Sequence, residues 1–130
     1  MRQLSPWVLF AGDAVCLAAF VVAGLGTHDG LANANALQRF LLNAGPQLLL
    51  WAVAGLALGA FRFAAPVSLR ALWARTLTAW LVAAPLALLL RAFLLGAATI
   101  VVAFMLVTLS LGGGLLLLWR TAYAYLALRR

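Results

Sequence analysis

The chain has 130 residues, 68% of them hydrophobic and 8% charged, against roughly 25% charged in a soluble domain. So apolar a chain cannot hide its surface in a core of its own size, and it takes a lipid bilayer as solvent. Its formal charge of +7 comes from nine arginines and two aspartates with no lysine. The arginines stand at the ends of apolar runs, where they anchor to headgroups, which argues against a nucleic-acid partner.

The first apolar segment covers about 6–26. Pro6 suits a first helical position and Trp7 an interfacial anchor. The run is longer than the core of a signal peptide and Asp13 interrupts it, so it reads as a transmembrane helix. Gly12, Ala19, Ala23 and Gly26 form a small-residue ridge that lets a neighbour approach. Asp13, Cys16, Phe20 and Gly24 lie on the adjacent stripe. Cys16 is the single cysteine, which leaves no intramolecular disulfide and no cysteine metal site.

A polar loop follows, with Thr27, His28, Asp29, Asn33, Asn35 and Gln38. Asp29-Gly30 is a turn signal, and a short interfacial helix is expected to lead into Arg39. The second segment covers about 40–61. Pro46 is expected to bend it, Asn43 and Gln47 are polar near the same end, and Gly55 with Gly59 has the GxxxG spacing of a packing face. A basic connection spans 62–70. The third segment covers about 71–90 and is closed by Arg91. It carries Arg75, Thr76, Thr78 and Trp80, and Pro85 leaves the Leu81 carbonyl short of a partner. The apolar link 92–98 predicts a tight hairpin to the fourth segment, about 99–118, which ends at Trp119-Arg120. Its triplet Gly112-Gly113-Gly114 weakens a helix by roughly 1 kcal/mol per glycine, which is tolerable where a partner packs on it. The tail 121–130, with Tyr123, Tyr125, Arg129 and Arg130, reads as an interfacial helix. The expected fold is all-α: one membrane domain, a four-transmembrane-helix up-down bundle.

Arginine counts orient the bundle. Arg2, Arg62, Arg70, Arg75, Arg120, Arg129 and Arg130 lie at one end and only Arg39 and Arg91 at the other, seven against two. Both termini are therefore expected in the cytoplasm, with the protein in the inner membrane.

Asp13 is the one acid inside an apolar run. It lies roughly 10 Å below the membrane surface at ~1.5 Å of rise per residue, where an unpaired carboxylate costs a few kcal/mol. Equal depths on the other helices place Gly55, Thr78, Trp80 and Gly113 near it, a candidate polar site of Asp13, Thr78 and Trp80. Arg62, Arg75 and Arg120 are candidate ion-pair partners, and Gly12, Gly55, Gly59, Gly112, Gly113 and Gly114 candidate packing positions. Asp13 either locks the bundle by pairing or works as a proton or cation carrier. At the other end His28, Asp29, Arg39 and Arg91 form a polar rim. His28 and Asp29 are too few for a metal site. There is no nucleophile–base pair, no second carboxylate for acid–base work and no phosphate loop, since no lysine follows the glycine triplet. No enzyme is expected.

Gly12-Asp13, then His28 followed by Asp29-Gly30, Pro46 with Leu50-Trp51, Thr76 with Trp80 and Arg91, and Trp119-Arg120 occur in an order that resembles the bacterial and archaeal membrane proteins grouped as domain of unknown function 3054. The resemblance covers nearly the whole chain. It departs by inserting Asp29 before Gly30 and by Leu50 where glycine usually precedes the tryptophan. It implies a four-helix membrane protein and no particular activity. The small multidrug-resistance transporters share the size and a membrane acid in helix one, but the remaining motifs differ. Three roles fit these residues. The first is an accessory or structural subunit of a larger membrane assembly; a homo-oligomer is the alternative partner. The second is a small proton- or cation-coupled transporter using Asp13. The third is a binder of an apolar ligand such as a quinone, a lipid or a pigment, held by Trp51, Trp80 and the cleft near Pro85.

Overall fold

The computed structural model describes residues 3–27, 35–63, 66–96 and 102–129. Helix α1 is Pro6–Thr27, α2 is Ala36–Ala57 and α3 is Leu69–Leu94. The last span is α4, Val102–Val107, a π-helical turn, Thr108–Gly112, and α5, Gly113–Arg129. Among the described residues there are four helices long and apolar enough to cross a membrane. Early residues of α1 and α3 meet late residues of α2 and of the last span: Trp51 donates to Asp13, and Trp73 to Thr121. At the opposite end Arg91, late in α3, donates to Asn43, early in α2. The helices thus run up and down in turn.

Several boundaries differ from the sequence reading for identifiable reasons. Helix α2 starts at Ala36 and stops at Ala57, because Gly59 turns into the left-handed region with φ 75°. The Ala60 N–H returns to the Gly55 carbonyl at 2.8 Å, which is the longer bond of a Schellman ending. Gly59 is therefore a turn residue, and the second member of the GxxxG pair does not belong to a helix face. Helix α3 begins at Leu69, where the Ser68 hydroxyl accepts from the Ala71 N–H at 3.1 Å, an ordinary N-cap. The tail from Thr121 to Arg129 is a continuation of the last helix and forms no separate interfacial helix. Pro46 and Pro85 both lie within helices. The expected short helix before Arg39 lies mostly outside the described residues, as do His28, Asp29 and the middle of the link between α3 and α4.

The interior holds Leu9 and Leu17 of α1, Trp51 of α2, Leu72 and Trp80 of α3 and Leu116 of α5, all wholly or almost wholly buried. Large apolar side chains such as Val15, Leu49, Leu81 and Leu118 cover the outside. Lipid tails are as apolar as leucine, so close packing and polar pairing, more than burial itself, decide which faces turn inward. The glycines show where. Trp119 packs on Gly12, Phe61 on Gly55, and the Trp80 indole on Gly112 and Gly113, so that a side chain at any of these positions would collide with the ring. Gly114, read as a packing position, has open space beside it instead, because one residue turns a helix by about 100°.

Candidate functional site

Asp13, in the second turn of α1, has no exposed surface. Facing it is Arg120 of α5, also fully buried. Arg120 Nη2 approaches Asp13 Oδ2 at 2.6 Å and its Nε approaches Oδ1 at 3.0 Å, the two-pronged geometry that guanidinium and carboxylate planes favour. The Trp51 indole N–H donates to Asp13 Oδ2 at 3.0 Å. The remaining guanidinium nitrogen, Nη1, donates to the Ala60 carbonyl at 2.6 Å and to the Thr76 hydroxyl at 3.1 Å. Thr76 in turn donates to the Leu72 carbonyl at 2.7 Å. The guanidinium carbon lies 5.1 Å from the Trp51 ring centre and 5.0 Å from that of Phe61, within cation–π range.

Every helix-bearing segment contributes. α1 supplies the charge, α2 the indole, the turn after α2 a carbonyl, α3 a hydroxyl and α5 the counter-charge. The Ala60 carbonyl lies just beyond the end of α2, near the negative end of the helix dipole, where a cation is welcome. Trp51 extends the cluster to Trp80, whose ring centre lies 5.9 Å away at 69°. The Trp80 N–H donates to the Leu109 carbonyl at 3.1 Å, inside the π-turn. In a turn that bonds i to i+5, carbonyls are displaced from the α-helical ladder. The Leu109 carbonyl also accepts from the Gly113 N–H, and the indole N–H donates to it as a second partner.

Of the candidate partners for Asp13, Arg120 is the one that pairs with it. Arg62 and Arg75 are exposed, and Arg75 donates to the Arg62 carbonyl while lying 5.4 Å over the Phe63 ring. Thr78 is also exposed and donates to the Ala74 carbonyl of its own helix. Two residues correspond to about 200° of helix rotation, so the inward hydroxyl is that of Thr76. The candidate site is therefore Asp13, Arg120, Trp51 and Thr76, with Trp80 behind. Sequence reasoning missed Trp51 as a donor to Asp13, and Ala60 and Phe61 altogether. A main-chain carbonyl leaves no mark in the sequence, but an indole one turn inside α2 from the polar pair Asn43 and Gln47 does.

The far rim is a smaller cluster. Arg91 Nε donates to Asn43 Oδ1 at 2.5 Å, Asn43 donates to the Arg39 carbonyl at 2.7 Å, and Arg91 lies 5.1 Å over the Phe104 ring. Arg39 itself is exposed, and His28 and Asp29 lie outside the described residues. Among the described residues no group of three or more metal-ligating side chains comes together.

Fold and site together define a small bundle of four membrane-length helices closed around a buried aspartate–arginine pair. The family model for the protein of unknown function DUF3054 matches residues 10–123, and the chain belongs to that family. Comparison with curated proteins and with solved structures finds no match for either. Most residues that carried the resemblance meet in the cluster. Asp13, Trp51, Thr76, Trp80 and Arg120 form it, and Gly12 and Trp119 seal its edge.

Proposed function

We propose that this protein is a structural or accessory subunit of a membrane assembly, with the Asp13–Arg120 pair as the lock of its bundle, and that it is not an enzyme. The observation that carries this reading is enclosure: both partners have 0% exposed side-chain surface. A carboxylate that carries protons or cations has to meet water at some stage, and this one is surrounded by protein groups that already satisfy it. The transporter reading is correspondingly weaker. The cofactor reading loses its aromatic clamp, since Trp51 and Trp80 are engaged with Asp13 and Leu109. The outer faces of Gly45 and Gly114 are open, which suits contact with a neighbouring membrane helix.

Arg120 belongs to the interior, so the sequence count that orients the bundle becomes six arginines against two. The bias still favours cytoplasmic termini in an inner membrane. A tagged chain captured from gently solubilised membranes after cross-linking is expected to bring down a stoichiometric foreign subunit. Repeated recovery as a lone chain or homo-oligomer would overturn the reading and move weight to transport. An Arg129→Cys variant in a Cys16→Ser background should resist an impermeant thiol reagent in whole cells and react once they are opened.

A further inference from the structure

Beside the lock, the bundle surface is hollowed into an open cavity of about 460 Å³. It lies where the spans begin and end: Leu4 and Pro6 come from the start of α1, Phe61 and Arg62 from the turn after α2, and Arg75 from the first turns of α3. One wall is apolar, made by Leu4, Pro6 and Phe61. The other is lined by Arg62 and Arg75. Arg75 is held in place, donating to the Arg62 carbonyl and resting on Phe63. Neither arginine has a carboxylate among the described residues, because the one acid there, Asp13, is taken by Arg120. The start of α1 adds its positive helix end to the same hollow.

We propose that this cavity binds the phosphate of an anionic phospholipid headgroup. Two arginines at one mouth match phosphate oxygens, and the apolar wall receives the glycerol and first methylenes. The position at the ends of the spans is headgroup level. Phe61 lines the cavity, and its ring also lies 5.0 Å from the Arg120 guanidinium. A headgroup bound here would therefore contact the same ring that packs on the lock. The proposal does not depend on the accessory-subunit reading, since the cavity is complete in a single chain.

The test is lipid retention by the full-length protein in discs containing phosphatidylglycerol and phosphatidylcholine, read by native mass spectrometry. Wild type should retain phosphatidylglycerol with a preference on the order of tenfold, as two near-surface arginines allow. Arg62→Gln with Arg75→Gln should abolish that preference. Arg129→Gln, which changes an exposed arginine stacked on Tyr125, should leave it. The single variant Arg62→Gln keeps the carbonyl that holds Arg75, and it should show a partial loss even if the double variant is poorly folded. A thermal melt supplies the second readout: phosphatidylglycerol should raise the midpoint where inorganic phosphate at equal concentration does not. Equal retention of both lipids would overturn the proposal. So would a preference that survives the glutamine substitutions, or equal stabilisation by inorganic phosphate, which would mark a soluble anion as the ligand.

Discussion

The Ala60 carbonyl accepts a hydrogen bond from Arg120 Nη1 at 2.6 Å, so a peptide just beyond the end of α2 is fixed to a side chain within α5. That carbonyl points inward because Gly59, at φ 75°, reverses the chain. A side chain at Gly59 would meet no neighbour, so its cost is conformational alone. Gly59→Ala should lower stability by about 1–2 kcal/mol, the ordinary cost of a left-handed residue with a Cβ. A thermal melt in detergent reads it. An unchanged midpoint would mean that the turn does not hold this conformation.

The ion pair predicts a sharper pattern. Asp13→Leu or Arg120→Met leaves one buried charge without its partner and should cost about 3–5 kcal/mol. The double variant Asp13→Leu with Arg120→Met should regain much of that loss, because it buries no charge. Unfolding midpoints of the four proteins form a double-mutant cycle. Strictly additive losses would show that the two side chains do not act as a pair.

Two threonines one half-turn apart should behave differently. Thr76→Val removes the acceptor that Arg120 Nη1 uses, and hydrogen bonds to charged groups are worth about 1.5–3 kcal/mol. Thr78→Val touches only an exposed bond within its own helix and should stay within about 0.5 kcal/mol of wild type. Equal effects at both positions would place the inward face of α3 elsewhere.

The glycines offer a second contrast. Gly12→Ala drives a methyl group into the Trp119 indole and should cost about 1–3 kcal/mol, as over-packing does. Gly114→Ala meets open space and should gain up to about 1 kcal/mol from helix propensity. A melt showing destabilisation at Gly114 would indicate contact with something outside the chain, such as a second copy.

Much of this architecture is legible before any coordinates. Four apolar runs separated by polar or basic connections announce four helices, and one acid in such a run announces a partner. Choosing Arg120 from three arginines is harder, because it looks like the terminator of an apolar run that in fact continues to Arg129. Choosing Thr76 over Thr78 is harder still. In a soluble helix the apolar stripe marks the inward face, but here Leu72 faces protein and Leu81 faces outward, and both are leucine. The π-turn has no marker beyond the neighbouring glycines, and the Ala60 carbonyl has none at all.

A seam of inward residues on the last span, Thr108, Gly112, Leu116, Arg120 and Ala124, steps by four, with Gly113 buried beside it. A step of four overshoots a full α-helical turn by about 40°, so this seam would wander off the face in a regular helix. The wider turn at Thr108–Gly112 takes back part of that drift. The number of residues in that turn therefore sets the phase between the Trp80 contact above and the Arg120 contact below. Many substitutions there can be absorbed, whereas losing or gaining a single residue would rotate one half of the span against the other with every side chain still present.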